Sequence, residues 1–235
     1  MNLDLPDDVV EFATAADSAI SRAGGLSLAR AAEVDPVVRH VAGDVLRTLG
    51  AEELDPRSDP DLLLASAALC RVAGRFVVPF PVVSMLTAID DRWLVVIGRG
   101  ARVARVDHGD LGPGWIATDL DGVAYRTEPV TEAIAQPLAP FAADLELSNS
   151  AELRDVRDVA TWLTLDAWYV LGAIERALAL TVEHVTERRQ FGQPLSAFQA
   201  VRFRVADCTV SVRGLSELAL YTAWRAFRAP NHGAE

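Results

Sequence analysis

Apolar positions recur at helical spacing through the first part of the chain. After Pro6-Asp7-Asp8, the residues Val9, Phe12, Ala13, Ala16 and Ile20 fall on one face of a segment that runs to Ala23 and stops at Gly24-Gly25. Pro36 opens a second helix over residues 37–49, closed by Gly50. Asp59-Pro60-Asp61 reads as an N-cap followed by proline in the first turn, and predicts an apolar helix over 62–72. Pro79-Phe80-Pro81 breaks the chain before a short helix over 82–89. The pattern changes at Asp90-Asp91. Trp93–Ile97 and residues 103–106 read as strands, and 115–118 with 123–126 flank Asp121-Gly122, a hairpin signal. Pro129, Pro137 and Pro140 punctuate a loop-rich stretch, and 145–147 predict a last strand.

Beyond Pro140, proline occurs only at Pro194 and Pro230, which leaves room for two long helices over 151–187 and 196–228. The second carries Phe198, Val201, Val205, Cys208, Val212, Leu215 and Ala219 at spacings of three and four, the stripe of a helix packed lengthwise in an antiparallel bundle. The expected architecture is therefore mostly α with a small β middle region. It divides into an N-terminal helical domain (1–90), a reduced β domain (91–148) and a C-terminal helical hairpin (149–235).

Composition narrows the chemistry. The chain has 33 acidic against 22 basic residues, and all of the basic ones are arginine. Without lysine there is no Schiff-base, P-loop or kinase-type lysine. A net charge of −11 argues against nucleic acid as a partner. Cys70 and Cys208 have no CxxC or Cys/His spacing, so no metal site is expected and both thiols are expected to be buried packing groups. The N-terminus lacks a basic segment followed by an apolar run, and no apolar stretch reaches bilayer length, so a cytoplasmic chain with no membrane partner is expected. No Gly-x-Ser-x-Gly elbow, His-Glu-x-x-His or dinucleotide fingerprint occurs.

The candidate chemistry lies between the two long helices, in Arg188-Arg189-Gln190-Phe191-Gly192-Gln193-Pro194-Leu195-Ser196-Ala197-Phe198-Gln199. Arginines complement the negative end of the first helix, Gly192 permits a turn, and Ser196 is placed to cap the second helix. Guanidinium forks, backbone N–H groups and Phe191 together can hold a phosphate-bearing ligand that contains a ring. Simple hairpin punctuation with surface arginines is the plainer alternative.

The run from Gly172-Ala173-Ile174-Glu175-Arg176 through Arg188-Arg189-Gln190-Phe191-Gly192-Gln193-Pro194 to Phe198-Gln199 and Ala206-Asp207 resembles the C-terminal domain of acyl-CoA dehydrogenases, with Cys208 in place of a methionine. Pro79-Phe80-Pro81-Val82-Val83-Ser84-Met85-Leu86 is similar to a linker in the subunits of bacterial steroid and side-chain degradation. The resemblance implies the family's fold with a shortened C-terminal bundle. It also implies FAD as cofactor and α,β-dehydrogenation of an acyl-CoA. Its partner would be another acyl-CoA dehydrogenase subunit or a second copy, whose FAD the turn reaches across an interface. It assigns Arg188 to the FAD pyrophosphate, Gln190 to a nearby hydrogen bond, and Phe191, Leu195 and Phe198 to the adenosine side, with Arg189, Gln193 and Gln199 as weaker candidates.

Departures from the pattern are equally specific. Thr127-Glu128-Pro129 matches only the start of the family's flavin-binding motif and is read as coincidence. The family's CoA-binding arginine falls on Leu163, with Arg154 or Arg157 as substitutes from another turn. A catalytic glutamate in the first long helix falls on Trp162, and the family's other location for it lies past Glu235. The catalytic base is therefore unassigned, with Asp158 and Asp166, one helical turn either side of 162, as in-chain candidates. A non-catalytic structural or regulatory helical module is the alternative reading.

Overall fold

The computed structural model describes residues 5–129, 141–153 and 155–228. The N-terminal part holds α1 (Asp7–Arg22), α2 (Leu26–Val34), α3 (Arg39–Thr48), α4 (Pro60–Phe76) and α5 (Val82–Leu86). Helix α1 buries Val9, Ala16 and Ile20, the face expected from the spacing, and α4 starts at the Asp59 cap, whose carboxylate accepts from the Asp61 N–H. Helix α2 was not expected. It is short, begins after the positive-φ pair Gly24-Gly25, and buries only Leu28 and Ala32, too few positions to register as a period.

The middle part is one five-stranded sheet of β1 (Trp93–Ile97), β2 (Val103–Asp107), β3 (Trp115–Asp119), β4 (Val123–Pro129) and β5 (Ala142–Leu153). Its spatial order is β1-β3-β4-β5-β2, with β1 and β3 parallel and the other pairs antiparallel. The β3–β4 hairpin forms as expected. Gly122 takes φ +82°, and the Asp119 carboxylate accepts from the Asp121 and Val123 N–H groups. Strand β5 is longer than expected and includes Ala151–Leu153. The first long helix therefore starts later than residue 151. The loop-rich reading of Pro137 and Pro140 lies outside the described residues.

The C-terminal part is a hairpin of α6 (Val156–Glu187) and α7 (Gln199–Arg228), joined through β6 (Arg189–Gln190) and β7 (Gln193–Pro194). The first half of α6 is the hub of the molecule. It crosses α4 with backbones in near contact: a Cβ on Gly74 would lie 1.9 Å from the Tyr169 carbonyl oxygen, and one on Gly172 would lie 1.9 Å from that of Arg71. Trp162 Nε1 donates to the Leu94 carbonyl at 3.0 Å, tying α6 to the sheet, and Trp168 Nε1 donates to that of Ala219 at 3.1 Å, tying it to α7. One apolar core joins α1, α3, α4, α5 and the near halves of α6 and α7, and a second lies against the sheet around Trp93, Trp115 and Leu145. Beyond about residue 176 of α6, and before Ala219 of α7, the hairpin has no fully buried residue and extends past both cores.

Candidate functional site

Two places carry the candidate chemistry. The first is the turn at the tip of the hairpin. Arg188 closes α6 with its N–H bonded to the His184 carbonyl oxygen at 2.8 Å. Strands β6 and β7 pair Arg189 with Pro194 and Gln190 with Gln193, leaving Phe191 and Gly192 as a two-residue loop with φ +51° and +80°. Two successive positive φ values are the signature of a type I′ hairpin turn, a conformation that an aromatic residue adopts only under constraint. The Leu195 N–H bonds back to the Arg188 carbonyl oxygen at 2.8 Å and closes the unit.

This turn gathers all five residues expected to face a cofactor. Arg188, Gln190 and Phe191 are exposed, and Phe191 is 92% exposed, so nothing among the described residues covers it. Leu195 and Phe198 are half-buried beneath, and the Phe198 ring meets that of Phe191 edge-on at 6.4 Å. Arg189 donates to the Gly192 carbonyl oxygen at 3.2 Å, holding the loop from below. Ser196 does not cap α7. It lies in a short 3₁₀ turn (Leu195–Ala197), and α7 starts three residues later, after Phe198.

The second place is a cleft of about 210 Å³ between the sheet and the helices. Phe80, Trp115 and Trp162 form walls, and Asp107, His108, Asp166 and Tyr169 bring polar groups from β2, the residue after it, and α6. Burial, reinforced by the charge of Asp107, pushes the Asp166 carboxyl above the usual carboxylate range. The Tyr169 hydroxyl is pushed up by burial and by the same carboxylates. Beneath them Cys70 is buried and its thiol is raised, mainly by burial, whereas Cys208 is exposed and is not the packing group expected.

His108 sits at the edge of the cleft, 7% exposed, stacked on Phe141 at 4.8 Å, with an Nδ1 that has no hydrogen-bond partner among the described residues. Burial, aided by the Arg39 charge and opposed by Asp110, lowers its pKa from 6.5 to about 4. The unfolded chain therefore binds a proton that the folded chain refuses. The contribution of His108 to stability is fully present above pH 6.5 and is lost as pH falls toward 4. Its full size is about 3 kcal/mol. Chemical denaturation across this range is expected to show that acid loss in the wild type and a much flatter profile in His108→Phe.

The other in-chain candidates have structural duties. The Asp158 carboxylate accepts from Arg57 Nε at 2.6 Å, so it is held as an ion pair and does not face the cleft as a base. Arg157 is exposed and bonded to the N-cap Asp155, and Leu163 is 44% exposed. Arg154 lies outside the described residues. Thr127 donates to the Trp115 carbonyl oxygen inside the sheet, a structural use of the partial motif. The sequence reading missed Asp107 and His108, and strand alternation carried no mark of their meeting with α6. Among the described residues no three His, Cys, Asp or Glu side chains gather as a metal site. No described helix is long and apolar enough to cross a membrane.

Known proteins match both the turn and the fold. Residues 165–235 match the family model for the acyl-CoA dehydrogenase C-terminal domain. Acyl-CoA dehydrogenase FadE27 of Mycobacterium tuberculosis is 42% identical over 73 residues, covering 29% of this chain and 20% of that protein. FadE28 of the same organism is 28% identical over 143 residues, covering 60% of this chain and 36% of that protein. The matched segments thus span about a fifth and a third of these relatives. Among solved structures, the ChsE4-ChsE5 complex from M. tuberculosis superposes with a TM-score of 0.73 at 18% identity, over 98% of this chain and 80% of that one. Butyryl-CoA dehydrogenase from Megasphaera elsdenii gives 0.64 at 13% identity, over 96% and 81%. Over residues 165–235 the chain is thus similar to the C-terminal domain of acyl-CoA dehydrogenases, and its fold as a whole is the one those enzymes adopt.

Proposed function

We propose that this chain is a subunit of an FAD-dependent acyl-CoA dehydrogenase that lends its hairpin turn to FAD seated in a neighbouring acyl-CoA dehydrogenase subunit. One observation carries the reading. Asp166, in the chain's own cleft, and Arg188, at the turn, are 22 residues apart on one continuous helix. At 1.5 Å per residue that is roughly 33 Å, farther than a dinucleotide in the cleft extends. The turn is thus out of reach of the chain's own cleft and fully open to another molecule. Its groups fit the phosphate and ring end of FAD: two guanidinium forks, an amide and two aromatic rings.

In this reading Arg188 binds the pyrophosphate, Gln190 hydrogen-bonds beside it, and Phe191, Leu195 and Phe198 line the adenosine. When bound, FAD supplies the hydride acceptor for α,β-dehydrogenation of an acyl-CoA. Asp166, beside Asp107, is a carboxylate that this chain itself brings to the cleft, and burial raises its proton affinity above that of a free carboxylate, the direction that favours its taking up a proton. The likeness to the ChsE4-ChsE5 complex and to the Tcur3481-Tcur3483 steroid ACAD supports an oligomer acting on a steroid-derived acyl-CoA.

The test is co-purification, alone and with a full-length acyl-CoA dehydrogenase subunit, reading flavin absorbance. Arg188→Ala is expected to lower retained flavin at least about tenfold, the worth of one charge-assisted hydrogen bond. A chain that stays free of flavin in every combination overturns the proposal. The competing reading, a non-catalytic helical module, draws on Leu163 at the CoA-arginine position and on the pairing of Asp158. It expects Arg188→Ala to leave no trace.

A further inference from the structure

The cleft between the sheet and the helices leaves its acids unneutralised. Elsewhere the largely buried acids Asp158 and Glu175 each take an arginine, Arg57 and Arg71. In the cleft, Asp166 is half-buried on α6 and Asp107 is exposed at the end of β2. Neither side chain has a hydrogen bond or an ion pair among the described residues. Arg105 also lines the cleft, but its Nε and one terminal nitrogen are bonded to Asp144 at 2.8 and 2.9 Å. The two cleft carboxylates are close enough for the charge of Asp107 to raise the proton affinity of Asp166. A positive group between them relieves that repulsion.

The other walls favour the same kind of occupant. His108 lines the cleft, is 7% exposed, and has an Nδ1 without a hydrogen-bond partner among the described residues. A buried polar atom left unpaired costs stability, so it marks a place where a donor from outside is favoured. Burial keeps the ring neutral above about pH 4, so it adds no positive charge. Trp162 Nε1 donates to the Leu94 carbonyl and Trp115 Nε1 to that of Gly109, at 3.0 and 3.2 Å. With both indole N–H groups engaged inside the fold, these side chains offer the cleft ring surface alone. Phe80 and Trp115 are fixed in turn, edge-on to Trp93 at 5.4 and 5.6 Å. Unpaired carboxylates beside rigid aromatic surface hold organic cations and repel phosphates and carboxylates.

We propose that this cleft is a binding site for a small protonated amine with an apolar body. Asp166, Asp107 and the His108 Nδ1 accept its N–H groups, and its hydrocarbon part lies against Trp115, Trp162 and Phe80. The acceptors select an amine with N–H groups to give over a quaternary ammonium, which has none. The volume of about 210 Å³ is below the roughly 300–1,000 Å³ of pockets that enclose drug-sized ligands, so the amine is small. The inference goes beyond the flavin reading and needs neither FAD nor a second subunit.

Calorimetric titration of the full chain at pH 7 tests it with three six-membered-ring probes of similar shape: cyclohexylamine, cyclohexanol and cyclohexanecarboxylate. Cyclohexylamine is expected to bind one per chain and saturably, at least about tenfold tighter than cyclohexanol, with no binding of the carboxylate. Asp166→Asn, which keeps the side chain's size and removes its charge, is expected to weaken the amine about tenfold or more and leave cyclohexanol unchanged. Asp107→Asn, at an exposed position, is expected to weaken it about threefold and serves as the second variant if Asp166→Asn does not fold. Circular dichroism checks the helices of each. Equal binding of cyclohexylamine and cyclohexanol, preference for the carboxylate, or amine binding indifferent to both variants overturns the proposal. A chain that binds the amine yet retains no flavin with any acyl-CoA dehydrogenase subunit keeps this site and loses the proposed function.

Discussion

Gly172→Ala is expected to be among the most damaging single-methyl additions in the chain. Replacing a mid-helix glycine with alanine ordinarily stabilises, by about 1 kcal/mol, because it removes backbone freedom from the unfolded chain. Here the added Cβ would lie 1.9 Å from the Arg71 carbonyl oxygen of α4, an atom fixed in that helix's own hydrogen bonding. Relief requires α4 and α6 to separate along the seam where Gly74 makes the reciprocal approach to Tyr169. Cores resist such displacement because they are already close-packed, and overpacking of this kind costs about 3 kcal/mol or more. Urea denaturation is expected to show the midpoint fall for Gly172→Ala and for Gly74→Ala. Gly214 supplies the contrast: it is also mid-helix and meets nothing within 4 Å. Gly214→Ala is expected to raise stability by up to about 1 kcal/mol. A neutral Gly172→Ala would mean that the two helices do not cross this closely.

Arg57→Ala is expected to be the next largest effect. The Arg57 guanidinium joins three parts of the molecule, donating to Asp158 at the start of α6 and to the Thr87 carbonyl oxygen after α5, both at 2.6 Å. The Asp158 side chain is 13% exposed. Removing the arginine leaves a largely buried carboxylate without its cation, and such a change costs about 3 kcal/mol or more. The penalty belongs mostly to the stranded charge, so Arg57→Leu with Asp158→Asn is expected to recover a large part of it. A double-mutant cycle in urea measures the coupling. Equal stability of Arg57→Ala and the wild type would show that water reaches Asp158 freely.

Asp158 also shows why a base could not be chosen from sequence. Asp158 and Asp166 occupy equivalent places one turn either side of Trp162, with similar helical surroundings. The structure separates them by partners that are distant in the chain. Arg57 neutralises Asp158, whereas Asp166 faces the cleft, where burial and the charge of Asp107 raise its proton affinity. Cys208 shows the same limit. Its place in an apolar stripe suggested packing, but it is exposed, because the distal half of the hairpin has no third element against it among the described residues.

Local signals are legible in the sequence where local physics decides. Asp121-Gly122 specified its hairpin, and the Asp59-Pro60 cap specified the start of α4, since each depends on dihedral preferences and hydrogen bonds within a few residues. The parallel pairing of β1 with β3 and the placing of β2 at the far edge beside β5 depend on long connections and carry no local mark. Helix α2 leaves no legible period because it buries two positions, and Ser148-Asn149-Ser150 interrupts the alternation that would mark the full length of β5.

By itself the sequence determined the two long helices, the turn between them, and the gathering of Arg188, Gln190, Phe191, Leu195 and Phe198 on that turn, because residues joined by so short a loop cannot be far apart. The tertiary structure decided the rest: a cleft roughly 33 Å along α6 from that turn, an acid held in it, and another acid neutralised by an arginine. These depend on burial and pairing among residues from separate elements, and burial is a property of the whole fold rather than of any stretch of chain.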